Sequence, residues 1–292
     1  MSKKIGFLVA ATPNAWQPYK KAFEDELKTK GWTIGNGTGA KDVSIDYQPR
    51  DGAAGKSDTF ASVAKQFVTN KVDVIVTAGT AAAQACQSAT SSIPIVFASA
   101  GDPVRCGLVA SLTKPGGNVT GCANMQTDQT AIDNRISVMR TKMHPTKVGV
   151  IGNDNPQVCP IDSALNLAWS RVQNAGIPAV LRPLRPTDFQ SRQTIKEALT
   201  PLQQQGVDVL LICSDPLLSA NAHSLIQAAH DLGMRTMHEF REHVDQHGGN
   251  RSHGPSFTGL FGKAADMVDE ILGGKSPGDI PVYQPTTFEE AP

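Results

Sequence analysis

The chain has 292 residues, which at roughly 100–200 residues per domain suggests two domains. Hydrophobic residues make up 40% and charged residues 18%, a balance that supports ordinary cores and excludes a disordered polymer. Lys plus Arg and Asp plus Glu both number 27, so there is no basic excess to grip nucleic-acid phosphates or an anionic membrane, and no apolar run reaches the roughly 18–20 residues of a spanning helix.

Met1-Ser-Lys-Lys4 runs straight into the first strand candidate, so the chain reads either as cytoplasmic or as an exported protein whose leader has been removed. From there, short β-branched apolar runs alternate with helical patterns. Strands are predicted at Ile5–Ala10, Val43–Gln48, Val72–Thr77, Ile93–Ala98 and Val119–Cys122, then at Lys147–Ile151, Ala179–Leu184, Val207–Cys213 and Arg235–Met237. Helices are predicted at Gln17–Lys30, Ser57–Asn70, Ala81–Ala89, Thr130–Met143, Ser163–Asn174, Arg192–Gln205, Ser219–Leu232 and Phe257–Leu272. In the second of these, Phe60, Val63, Ala64, Phe67 and Val68 form an i, i+3, i+4, i+7, i+8 stripe. The nearly continuous apolar run Val72-Asp-Val-Ile-Val-Thr77 reads as a central parallel strand buried on both faces. Alternation of this kind implies right-handed βαβ units and parallel sheets.

The plan occurs twice. Thr69-Asn-Lys-Val-Asp-Val-Ile-Val-Thr-Ala78 corresponds to Gln204-Gln-Gly-Val-Asp-Val-Leu-Leu-Ile-Cys213, each a helix end, then V-D-V, an apolar strand and a small-residue turn. Two similar α/β lobes are expected, joined near Gly116–Gly121. Open α/β sheets bind ligands beyond the carboxyl ends of their strands, so function is sought in the turns that follow strands.

Those turns supply the candidate ligand-binding residues. The first, Ala11–Tyr19, carries Thr12, Trp16 and Tyr19, where the aromatic pair forms either a ligand wall or packing for the adjacent helix. In Ala78-Gly-Thr-Ala-Ala-Ala83, Thr80 either caps the following helix or joins its N-terminus in binding a carboxylate. Ser99 and Asp102 lie in Phe97-Ala-Ser-Ala-Gly-Asp-Pro-Val104, where Asp102 is a helix cap ahead of Pro103 or a receptor for a ligand ammonium. The second-half equivalents are Asn153 and Asn155 in Gly152–Pro156, Ser214 and Asp215 in Cys213–Pro216, and Glu239 and Arg241 in Met237–His243.

Three patterns imitate other chemistries. Gly55-Lys-Ser57 sits where a P-loop would, but Arg50 occupies the position of its first glycine. Gly35-Asn-Gly-Thr-Gly-Ala40 mimics a dinucleotide fingerprint on the wrong side of its strand and reads as a loop. His238, His243, His247 and His253 lack the H-E-x-x-H spacing and read as a solvated surface, with no metal expected. Five cysteines without a C-x-x-C pair read mostly as core filler, and the odd count argues against a complete disulfide framework while leaving room for one bridge. There is no nucleophile elbow and no paired-carboxylate set, which shifts weight from catalysis to binding.

The run from Val72 to Gly121, with D-V-I-V-T-A-G-T-A-A-A, I-P-I-V-F-A-S-A-G-D-P-V, G-L-V-A-S-L and K-P-G-G-N-V-T-G, resembles the substrate-binding proteins of ABC uptake systems of the tryptophan/tyrosine type. Lys147-Val-Gly-Val-Ile, Ser252-His-Gly-Pro255 and Ile280-Pro-Val-Tyr-Gln-Pro-Thr-Thr-Phe288 agree, so the resemblance spans nearly the whole chain. It implies a type I periplasmic-binding-protein architecture, α/β with two Rossmann-like lobes, three crossovers and a ligand cleft between the lobes. The first lobe would comprise 1–120 plus 254–276 and the second 121–253 plus 277–292, with hinges near Gly121 and Gly254. Relatives usually continue beyond the equivalent of Phe288, which marks the chain as a candidate truncation.

The resemblance also implies a non-enzymatic, extracytoplasmic solute-binding protein. It would hold a small amino-acid-like, aromatic or carboxylate ligand and deliver it to an ABC permease with its ATPase, as a monomer and without cofactor. Thr80, Ser99 and Asp102 match the family's carboxylate and amino-group positions. Where the family often carries an Asp-Asn pair in the second lobe, this chain has Asp215-Pro216. Thr80 would then bind the carboxylate, Asp102 or Asp215 the amine, and Trp16 would wall the side chain. The competing readings are a ligand-sensing module of the same fold and a two-lobed α/β enzyme such as a sugar-nucleotide transferase.

Overall fold

The computed structural model describes residues 2–10, 16–35, 39–50, 57–124, 128–153, 162–213 and 215–292. Strand and helix alternate in the first half as β1 (Lys3–Ala10), α1 (Gln17–Thr29), β2 (Thr33–Ile34), β3 (Asp42–Arg50), α2 (Ser57–Thr69), β4 (Val74–Ala78), α3 (Thr80–Ala89), β5 (Ile95–Ala100) and β6 (Val119–Ala123). The second half follows with α4 (Gln129–Met143), β7 (Val148–Asn153), α5 (Asp162–Asn174), β8 (Ala179–Leu184), α6 (Arg192–Gln204), β9 (Val209–Ile212), α7 (Pro216–Ala220), α8 (Ala222–Asp231), β10 (Arg235–His238), α9 (Glu242–Asp245) and β11 (Arg251–Gly254). Last come α10 (Phe257–Leu272) and β12 (Glu289–Ala291).

The first unit comprises residues 1–124 and 257–285. Its sheet is parallel throughout, in the order β2-β3-β1-β4-β5-β6. All five residues of β4 are buried, as expected of a central strand covered on both faces. One face packs Phe7, Val74, Val76, Val96 and Ala98 against α1 and α10, and the other packs Leu8, Ile75, Ile95 and Phe97 against α2 and α3. Phe60, Val63, Ala64 and Phe67 of α2 are buried as their spacing requires. Although α10 follows the whole second unit in sequence, its Leu260, Phe261, Ala264, Ala265 and Val268 complete the first unit's core.

The second unit comprises residues 125–256 and 286–292. Its sheet runs β12-β11-β10-β9-β7-β8, parallel except for β12, which pairs antiparallel with β11. Setting β2 and β12 aside, the two sheets have one order, with β3, β1, β4, β5 and β6 matching β8, β7, β9, β10 and β11. The correspondence read between 69–78 and 204–213 is thus the equivalence of β4 with β9.

All three boundaries differ from those expected, the middle one lying at 256/257 and not at 253/254. Residues 121–124 belong with the first unit because β6 pairs with β5. The final passage lies at 285/286 and not at 276/277. Thr120 Oγ1 donates to Ile280 O (2.7 Å), Val282 N to Leu112 O (2.7 Å) and Tyr283 N to Gly121 O (2.9 Å), which fastens 280–283 to the first unit. The helix expected at Ser219–Leu232 is two helices. Asp215 caps α7 with Pro216 at its first position, and Asn221 ends α7 where α8 begins. Conversely, Asp102-Pro103 opens only a single hydrogen-bonded turn, which Gly107 (φ +70°) ends before any helix forms.

Candidate functional site

Each described candidate lies at or just past the carboxyl end of a strand, or at the start of the helix that follows. In the first unit, Gly79 (φ +95°) forms the N-cap of α3 without a capping side chain, and its N–H donates to Ser99 O at 3.0 Å. Thr80 is therefore the first helical residue and not the cap. Its hydroxyl, half-buried, accepts from Gly101 N–H at 3.5 Å and so links the turns after β4 and β5. Ser99 is buried at 4% exposure within β5. Asp102, half-buried, accepts from Arg105 N–H through Oδ1 at 3.0 Å. Thr80, Ser99 and Asp102 thus gather at one rim beside the α3 N-terminus, where exposed N–H groups favour an anion.

Trp16 has a different environment from a ligand wall. It is 3% exposed, with its ring centroid 5.7 Å from Phe7 and 4.8 Å from Tyr47, inside the core beneath α1. Tyr19 stacks on Phe261 (5.2 Å) and meets Phe257 edge-on (4.7 Å). Both aromatics of this turn therefore pack within the first unit. Thr12, in the same turn, lies outside the described residues, as do Asn155, Ser214 and the P-loop-like Gly55-Lys56.

In the second unit, Asn153 ends β7 and Asp215 follows β9, both 4% exposed. Asp215 Oδ1 accepts from Leu217 N–H (2.7 Å) and Leu218 N–H (3.3 Å), and Asn153 Nδ2 donates to Oδ1 (3.3 Å) and Oδ2 (3.4 Å). Burial raises the Asp215 carboxyl above the usual carboxylate range, opposed in part by these hydrogen bonds. No cationic side chain among the described residues pairs with it. Glu239, the first residue past β10, is 1% exposed and pairs with Arg135 of α4 (Nη2 to Oε1, 3.4 Å). Sequence reading missed Arg135. Its signal was a charge at the buried phase of α4, between Ile132 and Ile136.

The histidines expected on a solvated surface run instead from interior to surface. His238 is 1% and His243 9% exposed, with ring centroids 5.1 Å apart, and His247 lies 6.2 Å from His243. Burial holds His243 down to about 4 and His238 well below the usual histidine value. Among the described residues no group of three or more His, Cys, Asp or Glu is arranged to hold a metal. Cys86 and Cys213 are buried free thiols pushed up to about 12 by desolvation, which suits inert core residues. A cavity of about 330 Å³ lined by Arg140, His144, Pro145 and Gly176–Pro178 lies at the opposite, amino edge of the second sheet, away from these groups.

Comparison with known proteins agrees across the chain. Residues 14–289 match the family described as ABC transporter substrate binding protein. A tyrosine-binding protein of Clostridioides difficile is 29% identical over 289 residues, covering 99% of this chain and 77% of that protein. A Streptococcus pneumonia ABC domain solved in complex with L-Trp superposes with a TM-score of 0.85 at 22% identity, over 99% of this chain and 91% of that one. A conserved domain protein from Vibrio cholerae gives the same score at 25% identity and the same coverage. No helix among the described residues is long and apolar enough to cross a membrane.

Proposed function

Because this chain belongs to the ABC transporter substrate-binding proteins, with the type I periplasmic-binding-protein fold, we propose that its ligand is an aromatic amino acid, captured outside the cytoplasm and passed to a permease driven by an ATPase. The observation that carries the amino-acid reading is the buried Asp215 carboxylate beside Asn153, with no cationic partner among the described residues. A carboxylate held out of water without a counter-ion is unfavourable, and a ligand ammonium would relieve it with a charge-assisted hydrogen bond. In the first unit, Thr80 and the α3 N-terminus receive the α-carboxylate, Ser99 contributes a hydroxyl, and Asp102 is the second ammonium candidate. The tyrosine-binding relative and the L-Trp-bound neighbour support an aromatic side chain. Thr12 stays a candidate ligand contact, and Trp16 packs in the core of the first unit. No bond-breaking step is assigned to any of these groups, and the protein acts as a monomeric carrier without cofactor.

Calorimetry tests this reading with L-tyrosine, L-tryptophan and L-phenylalanine beside tyramine and 3-(4-hydroxyphenyl)propionate. The amino acids should bind, and each analogue lacking one charged group should bind at least about tenfold more weakly. Equal affinity for the propionate would remove the ammonium role of Asp215. Failure of all three amino acids would remove the ligand class.

A further inference from the structure

The buried stripe of α4 contains a charge. Ala131, Ile132, Ile136, Met139 and Met143 face the core, and Arg135 is buried with them at 5% exposure. Its Nε donates to the backbone carbonyl of His253 at 2.8 Å, while Nη2 stands 3.4 Å from Glu239 Oε1, whose side chain is wholly enclosed. Gly254 completes the junction, since a Cβ there would lie 2.1 Å from Glu239 O and 2.9 Å from Glu239 Cγ. The backbone just past β10 therefore rests directly on the last residue of β11.

These three elements occupy special places in the chain. The helix α4 begins shortly after the chain enters the second unit at 124/125. The strand β11 ends just before the chain leaves that unit at 256/257. Glu239 opens the turn at the carboxyl edge of β10, the edge that also carries Asn153 and Asp215. A buried guanidinium is tolerated where its charge is met, and Arg135 is met from both neighbouring segments, by the Glu239 carboxylate as an ion pair and by the His253 carbonyl as a hydrogen bond. With Glu239 at 1% exposure, its carboxylate meets Arg135 and is poorly placed to serve as an open ligand contact.

We propose that Arg135 is a positioning residue for ligand binding: through Glu239 and the His253 carbonyl it locks the turn after β10 to the strand by which the chain leaves the second unit. This pre-orders the rim that holds the ligand, and it rests on the amino-acid-binding reading above. A rim fixed before binding loses less conformational freedom when the ligand arrives.

The test uses the full chain with Arg135→Met, Arg135→Lys, Glu239→Gln and the Arg135→Met/Glu239→Gln pair. Hydrogen exchange without ligand should rise at least about tenfold in both 239–243 and 251–256 for Arg135→Met and Glu239→Gln, because a local opening has become easier. L-Tyrosine or L-tryptophan affinity should fall roughly tenfold in each single variant, and the pair should be no worse than the poorer single, as two residues of one unit behave. Arg135→Lys should fall between, since it keeps the charge and loses the fork. If Arg135→Met does not fold, Arg135→Lys and Glu239→Gln decide. Unchanged exchange in 251–256, or additive losses of affinity, overturns the proposal. If the wild-type chain binds neither amino acid, the ligand assignment fails while the exchange result still judges the lock.

Discussion

The carboxamide of Asn153 donates to both oxygens of the Asp215 carboxylate, at 3.3 and 3.4 Å, and so ties the carboxyl ends of β7 and β9. Asp215 caps α7 at the same time. Since burial raises this carboxyl, the fold favours its protonated form, and the group opposes folding increasingly as pH rises through and above the usual carboxylate range. Asp215→Asn, which retains a capping oxygen, should therefore hold or raise the melting temperature at pH 7. Asp215→Ala should lose about 1–2 kcal/mol in denaturant titration through the lost cap. If Asp215 receives the ligand ammonium as proposed, both should weaken amino-acid binding by roughly 10–100-fold in calorimetry.

Thr80→Val removes the hydroxyl that accepts from Gly101 N–H. The long, partly exposed bond should contribute no more than about 1 kcal/mol to stability. Its loss from the proposed carboxylate-binding rim should nonetheless reduce affinity several-fold, and a panel comparing the amino acids with tyramine should show the loss confined to ligands bearing a carboxylate.

Gly121 and Gly254 occupy equivalent strands, β6 and β11, and a Cβ at either would lie 2.1 Å from a neighbouring backbone carbonyl, of Phe97 and Glu239 respectively. Backbone cannot yield as a flexible side chain does. Alanine at each position should destabilise the protein by about 2–4 kcal/mol, read as a lowered urea midpoint. Gly262→Ala, where a Cβ meets nothing within 4 Å, is the control and should be neutral or slightly stabilising.

Acid should loosen the second unit through its histidines. His243 and His238 are held neutral by burial, so their contribution is complete above the ordinary histidine value of roughly 6.5 and is lost as pH falls from there toward about 4. In that window the unfolded chain binds more protons, and stability should drop by up to about 1.4 kcal/mol per pH unit for each histidine. Asp215 acts in the opposite direction lower in the range. Melting temperatures from pH 7 to pH 4 should fall steeply in the wild type and less steeply in His243→Gln.

Trp16 separates packing from recognition. Trp16→Ala empties a site bounded by Phe7 and Tyr47 and should destabilise by about 3–5 kcal/mol. Trp16→Phe should retain most stability and leave amino-acid affinity within about twofold, as expected of a residue 3% exposed. A large affinity loss in Trp16→Phe with unchanged melting would return Trp16 to the ligand wall.

Much of this was legible beforehand because strand and helix periods are local. The stripe of α2 and the apolar run of β4 declare their faces without reference to anything distant. The rule that sites lie past strand ends also placed Thr80, Ser99, Asp102, Asn153 and Asp215 on the carboxyl edges of their sheets. What escaped were pairings made by distant partners. Thr33–Ile34, Arg251–Gly254 and Glu289–Ala291 are too short to announce themselves and are strands only because β3, β10 and β11 receive them. Identical Asp-Pro steps diverged likewise, with a helix after Asp215 and a single turn after Asp102.

The sequence by itself determined the alternation, the twofold plan and the turns in which chemistry gathers, because each is written in residues near one another along the chain. Only the tertiary structure decided that Trp16 is core, that Asp215 is a buried carboxylate with no counter-ion among the described residues, and that Arg135 meets Glu239 and the His253 carbonyl. Burial and charge pairing depend on residues distant in the chain, from Asn153 and Asp215 62 positions apart to Arg135 and His253 118 apart, and no local pattern encodes which of them will meet.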